Sequence, residues 1–210
     1  MEKTITLSPQ ELYYIGTLIE AKYYDFAYVT MMVGENGDYK IIEGEAKSSL
    51  LNQGYLIEDF SGNLTVSDDL KELVIPVFMG NIEVSIEVCD IKNNNKADVC
   101  KIHRYQSDIT VVEVSDGALV LHKGTIDEVE NKIRELSSDE DYEDNIAFEG
   151  DPSDAEKIIA IKVVNVGVSS DVYNYVLADG KAYQEKNDGL VTISGNTFVE
   201  QMSRILKEVF

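Results

Sequence analysis

Hydrophobic and polar positions divide this chain into two rhythms. Up to residue 76 the apolar spacing is mostly helical. In "LSPQELYYIGTLIEA", Ser8 is placed to cap, Pro9 suits a first helical position and Glu11 completes a capping box. Leu12, Ile15, Leu18 and Ile19 then line one helical face. "DFAYVTMMV" reads as a strand or a second short helix, and "GENGD" as a turn. "GEAKSSLLNQGYLIEDFSGNLTVSDDL" predicts a helix ending at Gly54, a strand Tyr55–Ile57, a turn at Ser61-Gly62 and a second strand. Ser67 can cap a further helix, "DDLKELVI", which Pro76 is expected to terminate. The order helix, strand, tight turn, strand is that of a winged helix-turn-helix.

From Ile82 the period falls to two. "IEVSIEV" alternates as a half-buried strand does, and "VCKIHRYQ", "ITVVEV" and "ALVLHK" follow it. "KNNNKAD", Ser107-Asp108 and Asp116-Gly117 punctuate them, so an antiparallel meander is expected. "TIDEVENKIREL" then forms an amphipathic helix with Thr125 and Glu128 as its capping box.

The same pattern recurs 72 positions on. Asp108 maps to Gly180, Asp116-Gly117 to Asp188-Gly189, and Leu119 and Leu121 to Val191 and Ile193. Thr125 and Glu128 map to Thr197 and Glu200, and Ile126 and Ile133 to Phe198 and Ile205, with no gap. This spacing indicates a duplicated unit. The expected fold class is α+β: an antiparallel sheet from two pseudo-twofold-related meander-plus-helix halves, behind an N-terminal winged-helix-like unit. The boundaries expected are 1–80 for the helical unit, 81–137 and 157–210 for the halves, and 138–156 for an acidic connector. That connector, within "SSDEDYEDNIAFEGDPSDAE", reads as a mobile solvated loop. It fails as an EF-hand, because counting from Asp139 the required Gly and Glu positions hold Asp144 and Gly150.

Charge changes how the winged unit is read. The 210 residues carry 18 Lys and Arg against 39 Asp and Glu, a net −21 with a pI near 4.3. Non-specific DNA affinity comes from cations displacing counterions, and residues 1–76 hold only Lys3, Lys22, Lys40, Lys47 and Lys71. The helix that would read bases offers Lys47, Ser48, Ser49, Asn52 and Gln53 beside Glu43 and Glu45. A scaffold is expected there, not a nucleic-acid reader. The start "MEKTITLSPQ" lacks the pattern of a secretory leader, and no apolar run is long enough to insert in a bilayer, so a cytoplasmic location is expected.

Candidate chemistry is sparse. Cys89 and Cys100 flank "DIKNNNKADV" and can face each other across a hairpin, where free thiols suit a reducing compartment better than a disulfide. His103 and His122 lie in strand patterns beside Arg104 and Lys123, where a satisfied sheet position is expected. Hydrolase, metalloprotease, phosphate-loop and dinucleotide motifs are absent. The expectation is a non-enzyme with no catalytic residue, metal or cofactor, whose acidic surface speeds encounter with a protein partner. Two partner-binding candidates stand out. Phe78 and Met79 lie in "VIPVFMGN", a run that equally suits plain core, and Asn93, Asn94 and Asn95 form the longest hairpin tip.

With these pieces placed, the chain resembles the EspG-type chaperones of type VII secretion and their Gram-positive relatives. The resemblance rests on "LSPQEL", on "AKSSLLNQGYLIEDFSGNLTVSDDLKELVIP", and on the closing "VLADGKAYQEKNDGLVTISGNTFVEQMSRILKEVF". The first two match the family's opening helix, its small-residue helix, its Leu-x-x-x-Gly step and its Gly turn; the last matches its closing hairpins and terminal helix. The chain lacks the aromatic, Arg-rich final hairpin of actinobacterial members. The resemblance implies a cytosolic chaperone that keeps a secreted helical-hairpin protein, or an LXG or nuclease-type toxin, soluble for export. It would bind an amphipathic helical tip on a sheet-and-helix groove, and the secretion ATPase is a further partner it allows. Two rival readings are an acidic immunity protein that blocks a nuclease-type toxin and a regulator using the winged unit.

Overall fold

A computed structural model of the chain describes residues 4–32, 39–137, 143–148, 154–186 and 189–210, with side chains left aside at 39–41 and 96–99. The Gly34–Asp38 turn, both ends of the connector and Asp188 lie outside the described residues. In chain order the elements begin with β1 (Thr4–Leu7), α1 (Pro9–Leu18), α2 (Phe26–Met32), α3 (Tyr39–Asn52), β2 (Leu56–Glu58), β3 (Leu64–Val66) and α4 (Asp68–Met79). There follow β4 (Ile82–Asp90), β5 (Asn95–Tyr105), β6 (Asp108–Ser115), β7 (Ala118–Lys123) and α5 (Ile126–Leu136). The series then repeats as β8 (Ala155–Asn165), β9 (Ser169–Ala178), β10 (Lys181–Lys186), β11 (Gly189–Thr192) and α6 (Gly195–Val209). The fold is mixed α+β. Nine strands form one sheet in the order β1-β7-β6-β5-β4-β8-β9-β10-β11, with β2 and β3 as a separate hairpin.

The chain divides into two compact units, one of residues 1–81 and 102–123, the other of 82–101 and 124–210. In the first, α1 starts as its sequence dictates: Ser8 Oγ accepts from Glu11 N at 3.1 Å, and Glu11 Oε2 accepts from Ser8 N at 2.7 Å. Leu12 and Ile15 bury one helix face against a core that includes Leu50, Leu70, Val74, Phe78 and Leu121. β1, not anticipated from the sequence, pairs antiparallel with β7 from Thr4↔His122 to Leu7↔Leu119, burying Ile5 and Leu7. "DFAYVTMMV" resolves to the helix α2.

Pro76 does not end α4, which continues to Met79. Proline removes one N–H and crowds the carbonyl four residues back, here that of the exposed Glu72, and Pro76 itself is buried. The helix stops at Gly80, where an added Cβ would lie 2.3 Å from Pro76 O and 2.4 Å from Arg104 O. Ser67 stands at the N-cap position without a side-chain capping bond, its Oγ buried and unpartnered.

In the second unit β4 and β8 pair from Ile82↔Asn165 to Asp90↔Lys157, and β8 runs on into a hairpin with β9. α5 and α6 are joined through Glu130, whose Oε1 accepts from Ser203 Oγ at 2.7 Å and pairs with Lys207 Nζ at 3.2 Å. The hydrogen bond from Ser203 is the main reason its carboxyl is held below the ordinary carboxylate range.

The order of strands repeats, but the spacing drifts: the hairpin pair Ser115↔Ala118 corresponds to Lys186↔Gly189, a shift of 186 − 115 = 71, and it slips further at the helix. Thr125 caps α5, its Oγ1 accepting from Glu128 N at 3.2 Å, but the cap of α6 is Ser194, not Thr197. The helix correspondence is therefore 194 − 125 = 69, not 72. A shift of 69 places the buried Val129 on the buried Phe198, and Ile133 on Met202.

The connector also departs from expectation over its described part. Ala147 bridges Val191 of β11, Phe148 N donates to Leu190 O at 2.9 Å, and Thr192 N donates to Ile146 O at 2.8 Å. Asp144 accepts from Ser194 N (2.6 Å) and from Thr197 Oγ1 (2.7 Å) at the start of α6. Residues 143–148 thus supply an isolated β-bridge beside β11 and a helix cap. A carboxylate beside exposed helix N–H groups is favourable, which selects Ser194 over Thr197 as the start.

Candidate functional site

Of the residues nominated from sequence, Phe78 is 2% exposed and belongs to the core of the first unit. Its ring meets Tyr24 edge-on at 5.4 Å, and ring atoms come within 2.9 Å of where a Cβ on Gly16 would stand, so α1 needs glycine there. Met79 is half-buried. Phe78 therefore takes the core role that its run also suits, and offers no surface for a partner. Asn93, Asn94 and Asn95 are exposed at the β4–β5 tip in the second unit. Asp90 orders that tip, accepting from Asn93 N (2.9 Å) and Asn93 Nδ2 (2.7 Å); the side-chain bond is the first cause of its lowered pKa. Asn94 adopts φ 48°, a left-handed turn position that asparagine tolerates.

The polar face of α3 is occupied by neighbours in its own unit. Lys47 Nζ pairs with Glu58 Oε1 at 3.0 Å, Ser48 Oγ donates to Gly44 O at 2.9 Å, and Gln53 Nε2 donates to Glu11 Oε1 at 2.8 Å. An open cleft of about 480 Å³ runs here, lined by Ser8, Glu11, Ala46, Ser49, Gln53 and Gly117 among others. Glu11 is 6% exposed, with both carboxylate oxygens holding donors from its own unit. The cleft offers small and polar side chains for surface contact.

His103 is 2% exposed, with Nε2 3.0 Å from Tyr28 Oη, so it is a satisfied sheet histidine. Cys89 and Cys100 are not joined by a disulfide.

Two exposed apolar residues of the wing were not among the nominated contacts. Phe60 is wholly exposed and Ile57 is 60% exposed on the β2–β3 hairpin. Asp59 accepts from Ser61 N (2.8 Å), Asn63 N (2.9 Å) and Asn63 Nδ2 (2.8 Å), and its own N–H donates to Asn63 O. The Asn63 side-chain bond leads the causes that lower its pKa. The signal was present: a phenylalanine between Asp59 and the Ser61-Gly62 turn has no strand to bury it. In the second unit the exposed apolar residues gather at the β8–β9 hairpin, with Val168 78%, Val172 55% and Val166 42% exposed.

Among the described residues a large antiparallel sheet and six helices make up an EspG-like α+β fold. Among solved structures the chain is similar to the Mycobacterium tuberculosis type VII secretion system chaperone EspG5, solved in complex with a PE25-PPE41 dimer. The TM-score is 0.59 at 8% identity, covering 99% of this chain and 95% of that one. At such identity the likeness is one of fold, and function must be argued from surfaces. No family model matches the chain, and no curated protein matches it.

Proposed function

We propose that this protein is a chaperone of a type VII secretion system that holds a helical export substrate soluble before transport. The observation that carries this reading is the near full-length fold correspondence with a chaperone of such a system that was solved bound to a protein dimer. Exposed Phe60 and Ile57 supply apolar contact area, and the −21 charge speeds encounter with basic or amphipathic segments. The helical tip of the substrate covers its own apolar residues on this surface, and a secretion ATPase then takes the substrate over. In a Gram-positive host the substrate class is a helical-hairpin protein or the helical N-terminal region of an LXG or nuclease-type toxin. Catalysis has no part in the mechanism, and the work is done in the cytoplasm.

Co-purification with the separated halves of a candidate toxin tests the proposal. The expected result is capture of the N-terminal helical half with the toxin's activity intact. The large acidic excess favours one rival, an immunity protein that mimics nucleic acid in a toxin's catalytic cleft. Capture of the catalytic half alone, with loss of its activity, would establish that rival and remove the chaperone.

A further inference from the structure

Strand β9 is ten residues long, but its ladder with β10 covers only four of them, from Lys181↔Ala178 to Gln184↔Tyr175. On its other side β8 pairs with β9 as far as Asn165↔Ser169. Beyond Tyr175 the ladder between β9 and β10 ends, and Asn174 Nδ2 donates to Glu185 Oε2 at 3.3 Å. An open cleft of about 330 Å³ lies here, lined by Val172, Tyr173, Asn174, Gln184, Glu185 and Lys186. Among the described residues, Ser169–Asn174 is thus paired on one side only, and Ser169 through Val172 are exposed.

Such an edge presents main-chain donors and acceptors, and proteins usually protect it with Lys, Pro or a covering element. This segment contains neither Lys nor Pro. Its ladder with β10 stops short instead, at the open cleft. Side chains alternate across the edge: Val172 is 55% exposed on one face. Tyr173 lies on the other, its pKa raised by burial and then by Asp171 and Glu208.

We propose that Ser169–Asn174 is a strand-addition site that takes an extended segment of a partner polypeptide into the cleft beside β10. Six residues of strand span roughly 20 Å, which a segment of about six residues fills. The occupant carries β-branched residues on the face of Val172 and lysine or arginine on the opposite face, toward Asp171. A second copy of this chain fits worse, since pairing two edges would bring two bodies of charge −21 together. The inference is independent of the chaperone reading, because an edge recognises backbone whatever the partner's fate.

The test uses the full-length protein and a synthetic peptide of alternating valine and lysine, observed by amide NMR and hydrogen exchange. The peptide is expected to shift the Ser169–Asn174 amides and slow their exchange at least ten-fold. Its N-methylated analogue and a valine–glutamate peptide should do neither. Val172→Asp is expected to weaken binding about ten-fold while far-UV circular dichroism stays unchanged, the site being exposed. Absence of binding, or shifts confined to other elements, would overturn the proposal. So would concentration-dependent shifts of the same amides without peptide, which would assign the edge to self-association.

Discussion

The first meander-plus-helix segment closes its outer strand with a strand from far away in sequence: β7 is paired from Leu119 to His122 with β1. The second covers β11 with residues that precede the whole segment, as Ala147 bridges Val191. The strand lengths differ too, six residues in β7 against four in β11. From the first residue of the last strand to the helix cap is 125 − 118 = 7 positions in the first copy and 194 − 189 = 5 in the second. The second copy has lost part of its last strand, and its helix begins earlier. One plan tolerates different edges as long as each edge is covered and each helix buries the same stripe.

Burial contrasts give the largest expected effects. Phe198 is fully buried and stacks on Tyr175 at 4.7 Å, so Phe198→Ala should cost about 3–5 kcal/mol in urea unfolding. Under a shift of 72 its counterpart is Ile126, which is half-buried, and Ile126→Ala should cost about 1–2 kcal/mol. Equal losses would break the 69-residue correspondence. Next come the caps. Asp144→Ala leaves Ser194 N and Thr197 Oγ1 without this acceptor and should cost about 1–2 kcal/mol, against about 1 kcal/mol for Thr125→Ala, both read from thermal unfolding.

Acidity probes what joins the two helices. A carboxyl whose folded pKa is depressed stabilises the fold above its unfolded pKa, roughly 4.3, and that contribution is lost as pH falls through the folded value. Glu130 is such a group. Glu130→Gln should cost about 1 kcal/mol at pH 7 and much less at the acid end of the folded range. A pH-independent loss would mean that its charge is irrelevant. Smallest of all is Ser67→Ala. This cap position makes no side-chain bond, so its change should stay within about 0.5 kcal/mol. Ser8→Ala, which breaks a reciprocal box, should cost about 1 kcal/mol.

Legibility followed the physics of each element. Alternation in "IEVSIEV" marks β4 because one face of it is dry, and Ser8, Pro9 and Glu11 start α1 because all three act locally. Ser194 was missed because Thr197-x-x-Glu200 satisfies the same local rule, and the choice is made by Asp144, fifty residues distant. The bridge at Ala147 was hidden among acids whose density argues for solvation; Phe148, 4.7 Å from Tyr183, anchors it. Of the nominated contacts, Phe78 failed because a run after proline looks the same in a core as on a surface. The wing residue Phe60 and the free side of β9 depend on what does not pair, and pairing partners are not written in local sequence.

The locked wing turn has a kinetic consequence. A phenylalanine held out by a hydrogen-bonded loop gives up little beyond its own side-chain rotations on meeting a partner. Association through it therefore needs no folding step, and release leaves no strained intermediate, so such a grip can be taken and surrendered quickly.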